Sequence, residues 1–144
     1  MNTEGSGDMY YKGAAMIHTI RQIMNDDEKF RMMLRGMNEK FYHQTVTETD
    51  IREYMEQASG LRLQAIFDQY LKTTVVPKLE YRFSGKKMLY RWVNCVNGFD
   101  MPVDVSDGKK IIRLFPEQSE WKEIKWKSRT VKVDEDYYVK VGNR

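Results

Sequence analysis

The residues that say most about chemistry are Tyr10-Tyr11-Lys12-Gly13-Ala14, which set a phenol immediately ahead of an expected helix start. A tyrosine placed there could aim its hydroxyl at an oxygen on which negative charge develops during a reaction. It could not supply the nucleophile, the base and the metal as well, and the rest of the chain offers little to complete the set. The two histidines, His18 and His43, stand too far apart for a helical zinc pair, and no His-Glu-x-x-His box occurs, so no metal site is expected from these residues. His18 lies off the apolar stripe of its helix. His43 sits near the end of another, where a cation complements the dipole, and both are expected at the surface. There is no glycine-rich phosphate loop. Cys95 falls in an expected strand, Met88–Val96, and reads as a small core residue rather than a nucleophile. Alone, it can form no internal disulfide and leaves the compartment undecided.

The basic residues Lys86-Lys87, Lys109-Lys110, Lys122, Lys125, Lys127 and Arg129 interleave with Trp121 and Trp126, a composition that a nucleic-acid surface could have. Their placement argues for solvated turns and edges. Lys86-Lys87 and Lys109-Lys110 follow turn signals, and lysines on edge strands discourage pairing with another chain. Trp121 and Trp126 have opposite parity, so an undistorted strand buries one and exposes the other. No nucleic-acid partner is expected.

Elements able to position the tyrosine come from the rest of the 144 residues, which are 41% apolar and 12% aromatic, enough for a real core. The net charge of +3 is too weak to imply a partner. It is unevenly spread: residues 1–77 carry 9 basic and 11 acidic side chains, and residues 78–144 carry 15 and 10. No apolar run approaches the ~20 residues of a membrane span, and the polar, glycine-rich first eight residues hold no export signal. A soluble chain is expected, its localisation unknown. Any export signal of a longer precursor would lie upstream of Met1.

The hydrophobic periodicity changes once, from helical over residues 12–72 to strand-like over 78–141, and the expected fold class is α+β. Gly13, Met16, Ile17, Ile20, Ile23 and Met24 share one helix face. Asn25 precedes Glu28 as a capping pair before a second stripe through Phe30, Met33, Leu34, Met37 and Phe41. Thr47 and Asp50 open a third helix with Ile51, Tyr54, Met55 and Ala58 inward, and Gly60 closes it. A fourth carries Leu63, Ile66, Phe67, Tyr70 and Leu71 before β-branched residues and Pro77 stop it. Beyond Pro77, strands are expected at about 79–83, 87–96, 101–105, 109–115, 121–126, 130–133 and 137–141. Ser84-Gly85 turns, and Asn97-Gly98 and Asp107-Gly108 favour hairpins. These read as an antiparallel β-sandwich (Ig-like) of about seven strands over 78–144, after about four helices over 1–77.

In order and spacing these segments resemble the aminopeptidase N family of zinc metallopeptidases, the gluzincins that include leukotriene hydrolase. Tyr10-Tyr11-Lys12-Gly13-Ala14, running into a helix with Ile17, Ile20 and Arg21, is similar to that family's Tyr-Glu-Lys-Gly-Ala segment. Asp27-Glu28-x-Phe30 resembles its Gly-Asp/Glu-Glu-x-Phe helix start, and Val46-Thr47-x-x-Asp50 the cap that follows. Ala58-Ser59-Gly60-x-x-Leu63-x-x-Ile66-Phe67 resembles its last helix pair, with Pro77 leading into the next domain. Leu79–Phe83, Tyr90-Arg91-Trp92 and Gly98-Phe99-x-Met101-Pro102-Val103 are similar to the β-sandwich that comes next, so the likeness covers nearly all of 8–141.

The resemblance implies the C-terminal part of an enzyme that removes N-terminal residues from peptides: the last helices of a thermolysin-like catalytic domain, then the sandwich. The family's zinc box, its general base and its Gly-x-Met-Glu-Asn segment all precede the matched region, and none is present here. Zinc is expected in the full-length parent and no cofactor in this chain, which is expected to be inactive alone. The one active-site residue that maps is Tyr10, the oxyanion stabiliser in the parent. Tyr11 stands where the family has glutamate, so a shift of one residue would exchange the two tyrosines, although the spacing to Lys12-Gly13 favours Tyr10. Separated from the zinc-bearing half, the helices are expected to self-associate through an exposed face including some of Met16, Ile20, Met33, Met37, Tyr54 and Met55. The alternative is a free-standing helix-plus-sandwich interaction module binding protein or nucleic acid.

Overall fold

The computed structural model describes the backbone of residues 3–143 and the side chains of residues 13–143. Four helices come first: α1 (Thr3–Met24), α2 (Asp27–Lys40), α3 (Glu48–Ser59) and α4 (Gln64–Lys72). Seven strands follow: β1 (Lys78–Ser84), β2 (Lys87–Val93), β3 (Val103–Ser106), β4 (Ile111–Leu114), β5 (Lys122–Lys125), β6 (Lys132–Val133) and β7 (Lys140–Asn143). The class is α+β.

Local chemistry sets most helix ends. Thr47 and Asp50 form a reciprocal capping box, each side chain accepting from the other residue's backbone N–H at 3.1 Å. Gly60 ends α3 at φ 76°, its N–H donating to Glu56 O at 2.9 Å. At the α1–α2 junction the expected cap moves by one residue. Asn25 takes the left-handed conformation (φ 50°) that ends α1, and the Asp26 side chain accepts from Lys29 N to open α2. Asparagine tolerates that conformation, and aspartate caps as well as asparagine does. The start of α1 differs more. The helix begins at Thr3, so Tyr10 lies within it rather than ahead of it. No proline precedes Pro77, and extending an established helix costs far less than nucleating one, even across Gly5, Gly7 and Gly13.

The helical stripes turn inward as their spacing requires. Met16, Ile20 and Ile23 of α1, Phe30 and Met33 of α2, Met55 of α3, and Ile66, Phe67 and Tyr70 of α4 are buried. Gly36 permits α2 and α3 to approach closely, because a Cβ there would overlap the Tyr54 hydroxyl.

One sheet runs β5-β2-β1-β7 and the other β4-β3-β6. All the pairings are antiparallel except β1 with β7, which is parallel. The β1–β2 hairpin turns through Gly85 (φ 62°), and β3–β4 through Asp107-Gly108. There the Asp107 carboxylate accepts from the N–H groups of Lys109 and Lys110, each at 2.9 Å. Asn97-Gly98 does not make a hairpin. Gly98 has the positive φ of 77°, but β2 and β3 belong to different sheets and the dipeptide lies in the crossover between them. β2 likewise ends at Val93, short of Cys95, because Asn94 takes φ 59° and leaves the strand.

A single apolar core reaches from Met16 to Tyr137, drawing on helices and both sheets. Leu79, Met88, Trp92, Phe99 and Val103 are almost fully buried, and the Trp92 indole N–H donates to Met101 O at 2.9 Å. This shared core makes an unfolding prediction. Helix content resides in residues 3–72, whereas Trp92, Trp121 and Trp126 all lie beyond Pro77. Far-ultraviolet ellipticity and tryptophan emission are therefore expected to report the same denaturation midpoint, as for one cooperative unit. Two resolved midpoints would show that the helices and sheets unfold separately.

Candidate functional site

Residues of all four helices line an open groove of about 730 Å³. Gly13, Ala14 and Ile17 of α1 form one side, and Met37, Ile51 and Leu71 contribute from α2, α3 and α4, with His18 and Glu48 among its lining. A second depression of about 500 Å³ shares Met37 and Ile51 and continues past Leu34, Phe41 and Val46. An apolar trough thus crosses the helical half, and of the six residues expected there from sequence Met37 lines both depressions and Met16 the larger one. Met16, Ile20, Met33 and Met55 are at most 4% exposed, and only Met37 and Tyr54 remain half-buried. The central members of each stripe pack into the shared core, and flanking positions such as Ile17 and Leu34 are left at the trough.

α1 is held to the sheets by polar contacts that periodicity did not reveal. Arg113 of β4 donates through Nη1 to Ile23 O at 2.8 Å and through Nη2 to Gln22 O at 3.1 Å. It thereby caps carbonyls that have no partner inside the helix, at the end where a cation is electrostatically favoured. The same guanidinium forks onto Asp104, with Nε to Oδ1 at 2.8 Å and Nη2 to Oδ2 at 3.2 Å. The hydrogen bond to Asp104 raises the arginine's pKa further. Tyr137 donates to Asp104 Oδ2 at 3.1 Å, and burial pushes its phenol well above the usual range. Nearby, Gln22 donates to Asp134 Oδ2 at 3.0 Å, and the buried Thr19 hydroxyl accepts from Tyr138 N at 3.2 Å. From α4, Tyr70 donates to Tyr138 O at 2.7 Å, and burial raises its pKa. Gln69 joins the end of α4 to the first crossover, donating to Val75 O and accepting from Val96 N, both at 2.7 Å. A threonine and a glutamine at inward-facing positions were the available sequence signals. Arg113 alternates with Ile112 and Leu114 and gave none.

Tyr10 belongs to α1, and its side chain, like that of Tyr11, lies outside the described residues. His18 is exposed beside the groove. His43 is exposed just past α2 at φ 57°, with its ring 4.1 Å from that of Tyr42. Cys95 is half-buried, and burial pushes its thiol up to about 11, so it is protonated near neutral pH. Trp126 is buried and Trp121 half-exposed, as their parity required. Among the described residues no three His, Cys, Asp or Glu side chains converge as a metal site. No described helix is long and apolar enough to cross a membrane.

Residues 6–70, which include all of α2 and α3 and most of the helix carrying Tyr10, match the Peptidase family M1 domain. No curated protein matches the chain. Among solved structures, the chain resembles Legionella pneumophila aminopeptidase A, crystallised in complex with aspartic acid, with a TM-score of 0.68 and 14% sequence identity. The likeness covers 93% of this chain but 18% of that one, and at such identity it is a likeness of fold. Over residues 6–70, where four helices frame the groove, the chain is therefore similar to the aminopeptidase N-like M1 peptidases, and its fold resembles part of one of them.

Proposed function

We propose that the chain is the C-terminal part of a zinc-dependent aminopeptidase that removes N-terminal residues from peptides. Residues 1–77 would complete its catalytic domain and residues 78–144 would form the sandwich behind it. The match of residues 6–70 to the M1 peptidase domain carries this reading, because it encloses Tyr10-Tyr11-Lys12-Gly13. In the parent, the Tyr10 hydroxyl stabilises the oxyanion of the tetrahedral intermediate. Helical position 10 precedes Gly13, Ala14 and Ile17 by three, four and seven residues, the spacing of one helix face. Gly13, Ala14 and Ile17 line the groove, against which the zinc-bearing half of the parent would pack. Self-association would cover the same trough when that half is missing.

This chain's described residues do not fit a catalytic zinc, which needs three protein ligands and an open position. Its own contribution to the parent is therefore the tyrosine, the wall of the groove and the anchoring of α1. Purified alone, the chain is expected to cleave no aminoacyl reporter and to retain no stoichiometric zinc after dialysis. Chelator-sensitive hydrolysis with tightly held zinc would overturn that expectation.

Burial of Met16, Ile20, Met33 and Met55 favours a second reading, a free-standing interaction module that satisfies its own core. The coding sequence upstream of Met1 separates the two. A His-Glu-x-x-His box in frame supports the peptidase, and an initiation context without one supports the module.

A further inference from the structure

The outer face of the β5-β2-β1-β7 sheet carries a charge pattern that the peptidase reading does not use. Leu79, Met88, Tyr90 and Trp92 are buried on the inner face, so the alternate residues face outward. Pairing sets Glu80 beside Arg91, Arg82 beside Leu89, and Lys87 beside Lys125. Both acids on this face are already committed. Glu80 Oε1 accepts from Nε and Nη2 of Arg91 at 2.9 and 2.7 Å, and Glu123 Oε1 lies 3.2 Å from Lys87 Nζ. Arg82 and Lys125 are exposed and pair with no carboxylate among the described residues. The half-exposed Trp121 fixes the arrangement, with the guanidinium carbons of Arg91 and Arg82 4.2 and 4.7 Å from its ring centroid.

A guanidinium laid against an indole keeps its planar N–H edge available, and that edge matches a carboxylate in a bidentate way. We propose that this face docks an acidic, carboxylate-rich polypeptide segment, with Arg82 and Lys125 as its cationic contacts and Trp121 as the plate that holds the arginines in place. Charge complementarity selects the partner. Single-stranded nucleic acid is disfavoured because base stacking needs a bare aromatic face, and two guanidinium groups lie against the indole of Trp121.

Tryptophan emission provides the readout, because Trp92 and Trp126 are at most 2% exposed and Trp121 alone can respond at the surface. Titration of the 144-residue chain with short poly-L-glutamate is expected to shift the emission saturably, with affinity falling as salt rises. Arg82→Glu with Lys125→Glu is expected to weaken binding about tenfold. Lys109→Glu with Lys110→Glu makes the same change in net charge on the β3–β4 turn and is expected to alter binding by less than about twofold. The milder pair Arg82→Gln and Lys125→Gln, with circular dichroism matching the parent chain, should fall between them. Equal losses from the two glutamate pairs, no loss from the first, or tighter binding of oligo-dT than of poly-L-glutamate would each overturn the proposal.

Discussion

Tyr10→Phe in the proposed full-length peptidase is expected to lower kcat about 10²–10³-fold and to leave KM within a fewfold of its original value. The substitution removes one hydroxyl and keeps the ring, so packing is little changed. A single donor to a developing oxyanion contributes about 3–4 kcal/mol to transition-state stabilisation. The ground-state carbonyl is a weaker acceptor, and the loss therefore falls on kcat rather than KM. The role asks for one hydroxyl, and the spacing to Lys12-Gly13 assigns it to Tyr10 rather than Tyr11. Tyr11→Phe should therefore leave kcat nearly unchanged. Unchanged turnover in the Tyr10 variant, or a larger loss in the Tyr11 variant, would move the role elsewhere.

Legibility of the fold followed the range of the interactions involved. The capping box at Thr47 and Asp50, the glycine stop at Gly60 and the Asp107-Gly108 turn are satisfied by atoms within a few residues, and each forms as its sequence implied. The inward faces of α1, α2 and α4 were equally legible, because a stripe of Met, Ile and Phe has only one side to bury. Pairing across the sheets was not local. Asn97-Gly98 has the composition of a hairpin turn, but its neighbouring strands find partners in different sheets, β2 with β1 and β5 and β3 with β4 and β6. The parallel placement of β7 beside β1 is likewise set by the chain's return from β6, after 55 residues separating Ser84 from Lys140.

The candidate site shows the same division. Segment order pointed to the groove-bearing helices, and the match of residues 6–70 agrees. What sequence left open was which of the six apolar residues remain uncovered, and these are Met37 and Tyr54. A stripe gives the direction of burial but not its depth, and with both sheets packed behind the helices the depth sufficed to bury Met16 and Met55. The anchoring of α1 was out of reach for another reason. Its contacts join residues about 90 positions apart, such as Arg113 and Ile23, and they use backbone carbonyls that carry no side-chain signature.

That anchoring also makes the largest stability prediction: Arg113→Ala is expected to destabilise the chain by about 3 kcal/mol. The change strips Ile23 O and Gln22 O of their donors and leaves Asp104, whose side chain is 12% exposed, with Tyr137 as its remaining hydrogen-bond partner. Removing one member of a buried pair costs about 3–5 kcal/mol, because the partner stays desolvated and uncompensated. The Arg113 side chain is 30% exposed, which places the effect at the lower end. At this chain length about 2–4 °C of Tm accompanies each kcal/mol, so a fall of about 6–12 °C is expected in thermal denaturation. Arg113→Lys should recover little, since a point charge cannot serve a carboxylate and two carbonyls along separate directions. Lys87→Ala, which breaks the exposed pair with Glu123, should cost less than about 1 kcal/mol. Replacing Arg113 by Met and Asp104 by Leu together should restore much of the loss, because no buried charge is then left unpaired. If Arg113→Ala costs no more than Lys87→Ala, α1 is held to the sheets by its apolar face alone, and the polar clamp adds nothing to the placement of the helix that carries Tyr10.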